Sequence, residues 1–337
     1  MHVTLLVPDI HDRPTGGNLY NRRMVAELQD THTVDVHSWT PTTDTALPAP
    51  PHSGPVLVDS LLARHDEALP RLRRRHPGPL VLLAHYLHCI DPREDTASAA
   101  RTERAVLPLF DAVVTTSRYA QRALLDEGGA PSRIHVVSPG LDDPYRAPLP
   151  DGSSNAPPHL LTVASWLPGK GLSTLIDQLD TLDALDWHWT LVGDDTLAPD
   201  FAKTVRARLQ ASPLADRITA PGPVAPEAMR DRYDDADLFV LPSRFETCSM
   251  ATREALARGL PVVGYDVGGM GENFGDNDAG CLVPPDRPDT FADALRRLLT
   301  EPETRAAMST AARTRSKSFP TWTTAAARLQ SFLQSLY

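Results

Sequence analysis

The chain has 337 residues, of which 41% are hydrophobic and 23% charged, and its formal net charge is −10. That length accommodates two domains of about 150 residues each, and the composition is that of a globular protein. The acidic balance argues against a nucleic-acid partner, because phosphate contacts need a basic surface. Cys89, Cys248 and Cys281 are scattered without metal or disulfide spacing, which suits a reducing compartment. The start MHVTLLVPD reads as a strand rather than a signal peptide. No apolar run nears the roughly 18 residues of a transmembrane span. A cytoplasmic protein is therefore expected.

In chain order, VTLLVP (3–8), TVDVHSW (33–39), PVLVDSL (55–61), PLVLLAHY (79–86), AVVTTS (112–117) and IHVVSPG (134–140) read as strands. Helix-length segments such as 18–30 and 118–129 separate them. The basic run 71–76 reads as the solvated face of a helix. Continuous Val/Leu runs alternating with helices indicate a parallel sheet covered on both faces. Residues 144–158, rich in Pro, Gly and Ser, read as a linker. The alternation then restarts with 160–166, 188–194, 217–223, 237–243, 260–266 and 280–285, and the chain ends in a helix. Two doubly wound α/β units place the loops at the carboxyl ends of the strands where ligands bind.

Four of those loops carry candidate chemistry. Gly16 and Gly17 stand between the first strand and first helix, where glycine permits positive φ and close backbone approach to an anion. Taken alone, such a pair is as often a plain turn, and it is not a dinucleotide fingerprint. His85 ends the fourth strand, with His88 three residues on; no carboxylate or cysteine set accompanies them as metal ligands. Lys170 sits between Gly169 and Gly171 at a helix entry, one of three lysines in the chain, and such a held point charge suits phosphate. In RFETCSMATREALARG, Glu246 lies in the loop after a strand and Glu254 inside the following helix. The amides near Cys248, Ser249 and Met250 open that helix. Two surface glutamates eight apart are common in helical proteins, so the spacing alone decides nothing.

The set formed by Gly16–Gly17, TTSRYAQRALLDEGGAPSRIHVVSPGLD, LLTVASWLPGKGLSTLI, WTLVGDD, YDDADLFVLPSRFE, Glu246-x7-Glu254, EALARGLPVV and GGMGE resembles the retaining glycosyltransferases of family 4, with the GT-B fold. It spans nearly the whole chain in order. The resemblance implies two Rossmann-like domains facing a central cleft: an acceptor domain at 1–145, a linker at 146–158 and a nucleotide-sugar donor domain at 159–318. A last helix at 319–337 would cross back to the first domain. It implies His85 and Glu246 beside the transferred sugar as the catalytic pair. Gly16, Gly17, Lys170, Cys248, Ser249 and Met250 would meet diphosphate or sugar, Glu254 the ribose, and Val224 the base. Ser165 stands where many members carry a diphosphate arginine, and Arg244 or Arg118 could replace that charge. Thr247-Cys248-Ser249 replaces a glycine-containing loop.

The implied activity is metal-independent, retaining transfer of a hexose-type sugar from a UDP- or GDP-sugar to a small-molecule, lipid or glycan hydroxyl, with no cofactor. A non-catalytic nucleotide-sugar binding protein and another GT-B enzyme, such as a nucleotide-sugar epimerase, are the rival expectations.

Overall fold

The computed structural model describes residues 1–8, 13–40, 47–65, 67–93, 96–127, 134–147 and 157–337. The chain forms two compact units, one of Met1–Gly140 with Pro320–Tyr337 and one of Leu141–Phe319.

The first unit contains β1 (His2–Pro8), α1 (Gly16–Gln29), β2 (Thr33–Trp39), β3 (Val56–Asp59), α2 (Ala68–Arg75), β4 (Leu80–Ala84), α3 (Ala97–Val106), β5 (Ala112–Thr115), α4 (Arg118–Asp126) and β6 (Ile134–Val136). The strands pair in parallel in the order β2-β1-β3-β4-β5-β6. Every residue of β3 and β4 is buried, as a sheet covered on both faces requires, whereas the edge strand β2 is largely exposed. The order reverses direction between β1 and β3, so their carboxyl ends define the crevice of this unit.

The C-terminal helix Trp322–Gln334 belongs to this first unit. Trp322 is buried edge-on against Tyr20 at 5.7 Å, and Phe332 stacks on His135 at 4.5 Å. Gly140 admits this packing, because a Cβ there would lie 2.4 Å from the Trp322 backbone nitrogen.

The second unit contains α5 (Asp143–Arg146), β7 (His159–Val163), α6 (Leu172–Asp180), β8 (His188–Val192), α7 (Pro199–Ala211), β9 (Ile218–Gly222), α8 (Pro226–Asp234), β10 (Leu238–Leu241), α9 (Met250–Ala257), β11 (Val262–Tyr265), β12 (Gly280–Val283), α10 (Pro288–Thr300) and α11 (Pro302–Ser316). Its parallel sheet runs β12-β11-β10-β7-β8-β9, with the reversal between β7 and β10. Alternate residues feed opposite faces: Leu238 and Val240 join one buried cluster, Phe239 and Leu241 the other. Inside this core Trp189 Nε1 donates to Thr162 Oγ1, which in turn donates to the Val240 carbonyl.

The unit boundary falls at Gly140, earlier than the expected 145. The reason is α5, which packs in the second unit. Tyr145 meets the edge of Tyr233 at 5.6 Å, and Arg258 Nη1 donates to the carbonyls of Tyr145 and Ala147. At the other end Phe319 stays with the second unit, with the guanidinium groups of Arg253 and Arg315 each 5.3 Å from its ring. The part of the expected linker at 148–156 lies outside the described residues. Among the described residues no helix is long and apolar enough to cross a membrane.

Candidate active site

In the first unit the candidate residues gather at the carboxyl ends of β1, β3 and β4. Thr15 caps α1 by accepting from the Asn18 amide, so Gly16 and Gly17 form the helix's first turn rather than a loop before it. Neither glycine has positive φ. Gly17 leaves room for the His85 ring: a Cβ would sit 3.2 Å from it, a tight contact. His85, one residue past β4, is almost buried, with its Nε2 2.7 Å from Asn21 Oδ1 and 3.8 Å from Asp59 Oδ2. Tyr20 meets its ring edge-on at 4.9 Å. Burial lowers the His85 pKa from the ordinary 6.5, opposed by the Asp59 charge, so the ring is neutral near pH 7. Asp59, the last residue of β3, accepts from Asn21 Nδ2 at 2.6 Å and from the Leu61 amide at 2.8 Å. His88 is structural: its Nδ1 lies 2.8 Å from the fully buried Glu103, which also accepts from the Cys89 amide.

In the second unit the site lies at the carboxyl ends of β7 and β10. The turn Pro168–Lys170 leads into α6 through Gly171 at φ 70°, where a Cβ would be 2.0 Å from the Pro242 carbonyl. The Arg244 amide donates to the Gly169 carbonyl at 2.8 Å, tying the two loops together. Lys170 Nζ consequently reaches Glu246 Oε1 at 2.6 Å, with side chains 28% and 10% exposed. Gly268 and Gly269 grip Glu246 itself. Gly269 donates to the Glu246 carbonyl at 2.7 Å, and a Cβ on Gly268, at φ 57°, would lie 2.1 Å from that oxygen.

Ser249 precedes α9 in the left-handed region, at φ 59° and ψ 83°, the one non-glycine with positive φ among the described residues. That backbone conformation favours glycine, and this chain places a serine in it. Its Oγ shares a 2.8 Å hydrogen bond with Thr252 Oγ1. Cys248 is buried, and burial pushes its thiol pKa up; its carbonyl accepts from Asn273 Nδ2. Glu254, on α9 with Met250, accepts from the buried Tyr233 hydroxyl at 2.7 Å. Val224 follows β9 and packs partly against the core. Ser165 follows β7, its carbonyl accepting from the Leu167 amide. Arg244 is exposed and forms no ion pair among the described residues.

Sequence reasoning missed Asn21, Asp59 and Tyr233, which orient His85 and Glu254. Tyr233 lies in the YDDAD stretch, three residues before the buried Ala236, and its only signal was an aromatic among acids. Among the described residues, His2, Asp35 and His52 have metal-like proximity. However, His52 Nδ1 accepts from the Gly54 amide, so Nε2 keeps its proton and donates to Thr4 Oγ1, leaving no lone pair for an ion.

Two doubly wound units, each with its polar residues at a strand-order reversal, define a GT-B protein. The family described as "Glycosyltransferase Family 4" matches residues 14–144, and "Glycosyl transferases group 1" matches 157–301. The chain belongs to glycosyltransferase family 4. It is 27% identical to a D-inositol 3-phosphate glycosyltransferase of Rhodococcus opacus, over 77% of this chain and 63% of the relative. It is 32% identical to an alpha-D-kanosaminyltransferase of Streptomyces kanamyceticus, over 45% and 39% of the two chains. The alignments thus span less than two thirds of these relatives' length. Sucrose-phosphate synthase from Thermosynechococcus elongatus shares the fold, with a TM-score of 0.83, 20% identity and coverage of 100% and 99%. So does Anabaena Alr3699/HepE, solved with UDP and glucose, with a TM-score of 0.80, 18% identity and 99% coverage of each chain.

Proposed function

We propose that the protein is a retaining glycosyltransferase that moves a hexose-type sugar from a nucleoside-diphosphate donor to a hydroxyl acceptor without a metal ion. The observation that carries this reading is the Lys170–Glu246 pair at 2.6 Å, held at the β7/β10 reversal where such folds take their ligands. The donor diphosphate competes with Glu246 for Lys170 and receives further donors from the backbone entering α9. Glu246, released, accepts from sugar hydroxyls, while Glu254, oriented by Tyr233, accepts from ribose. Arg244, exposed beside the Gly169 turn, supplies the charge that Ser165 lacks.

In the transfer step the bond from sugar C1 to the diphosphate oxygen breaks and its electrons leave with the diphosphate. The acceptor oxygen bonds to C1 on the same face, and its proton passes to the departing phosphate oxygen. His85 and Glu246 position the sugar and support its developing positive charge. Metal independence is supported by the location of Asp235-Ala236-Asp237, one of the chain's two D-x-D sequences, the other being Asp276-Asn277-Asp278. Asp237 is anchored at the amino end of β10, accepting from the His159 amide at 2.9 Å, away from the Lys170 end of the sheet. The Anabaena protein's complexes favour a uridine donor as the first probe. The Rhodococcus relative's name favours a soluble polyhydroxy acceptor over a lipid or glycan.

A thermal-shift screen with UDP, GDP, ADP and dTDP identifies the base. Product NMR in EDTA then reads the anomer: an α-linked product from an α-linked donor is expected, and a β-linked product would sink the retaining mechanism.

A further inference from the structure

On its Nε2 side His85 meets a two-residue relay of Asn21 and Asp59. Asp59 is buried, its Oδ1 committed to the Leu61 amide and its Oδ2 2.6 Å from Asn21 Nδ2. An ionised carboxylate only accepts, so the Asn21 amide must turn its NH2 toward Asp59. That orientation leaves Oδ1, an acceptor, facing His85 Nε2 at 2.7 Å. A ring nitrogen set against an acceptor must carry a proton. We infer that Asp59 and Asn21 are positioning residues that act through His85, fixing its ring in the Nε2–H tautomer and making Nδ1 the lone-pair nitrogen.

The inference rests on the reading of His85 as a sugar-facing residue. Burial supports it, because the neutral ring is the form that has a tautomer to fix. Gly17 complements the relay from the other side: the ring lies where a side chain at 17 would be, so the plane of the imidazole is set by packing and its proton by Asn21.

The test is nitrogen-15 NMR of the labelled full chain at pH 7.5, with His85 assigned by comparison with His85→Gln. A protonated Nε2 and unprotonated Nδ1 are expected. In Asp59→Asn either orientation of the Asn21 amide is satisfied, so a mixture of His85 tautomers is expected. Release of UDP from UDP-glucose should then slow by roughly tenfold with little change in KM, the size typical of lost orienting partners. Asn21→Ala, which leaves the Asp59 cap on Leu61 intact, is the second variant and should scramble the tautomer equally. A wild-type ring protonated on Nδ1, an imidazolium at pH 7.5, or an unchanged tautomer in both variants would overturn the inference. The NMR readout needs no turnover, so failure of every nucleotide sugar to react would count against the transferase reading alone.

Discussion

Lys170 Nζ and Glu246 Oε1 lie 2.6 Å apart, joining the loop after β7 to the loop after β10. Each is the other's partner in the structure, and each is assigned a different part of the donor. Glu246→Ala removes the competitor for Lys170 and one support of the sugar. Nucleoside diphosphate should therefore bind as tightly as in the wild type or a few-fold more tightly, while turnover of UDP-glucose falls by about 100-fold or more, the scale of a lost transition-state contact. Calorimetry beside a UDP-release assay checks both; weakened UDP binding would show that Glu246 contributes to the diphosphate site.

Ser249 should respond to substitution in an unusual order. Its left-handed backbone costs about 1 kcal/mol, and its hydrogen bond to Thr252 returns about as much. Ser249→Gly relieves the first and loses the second, so its stability should stay within roughly 0.5 kcal/mol of the wild type. Ser249→Ala keeps the strain and loses the bond, and should be destabilised by about 1 kcal/mol. Denaturant titration of both variants settles the order; Ala more stable than Gly would contradict the account. Sugar preference among UDP-sugars should shift in Ser249→Gly.

Gly268→Ala places a methyl against the Glu246 carbonyl at a positive φ. Backbone cannot yield as a side-chain tip does, so a loss of roughly 2–4 kcal/mol is expected. The melting temperature and UDP-glucose turnover should fall together. A variant as stable as the wild type would show that the loop moves freely and does not hold Glu246.

Acid should destabilise the protein before its carboxylates titrate. Burial lowers the pKa of His52, His76, His85 and His135 below the ordinary 6.5. The unfolded chain takes up protons at about that value while the folded chain resists, so the unfolded state binds more protons below it. Stability is therefore retained above 6.5 and lost as the pH falls from there toward the lowered values. The melting temperature should drop by several degrees between pH 7.5 and 5.5; a rise over that interval would contradict the assignment.

The strands were legible because buried parallel strands leave uninterrupted runs such as VLLA in β4, and the candidate loops were legible because they follow those runs. The glycines were legible as residues, but the protein contacts they permit were not. Gly17 makes room for His85, and Gly268 and Gly269 hold Glu246, roles that depend on atoms far away in sequence. Asn21 and Asp59 were invisible for the same reason, being 38 positions apart and brought together only by the pairing of β1 with β3. The unit boundary was misplaced because composition shows where a chain is loop-like, whereas α5 is claimed by Tyr233 and Arg258.

The most direct test of the donor-site assignment is calorimetric titration of UDP into the wild type and Lys170→Ala. A hydrogen bond to a charged group contributes about 1.5–3 kcal/mol, so the wild type should bind saturably and the variant roughly ten- to a hundredfold more weakly. Equal affinity in the two proteins, or no binding of UDP, GDP, ADP or dTDP to the wild type, would contradict it.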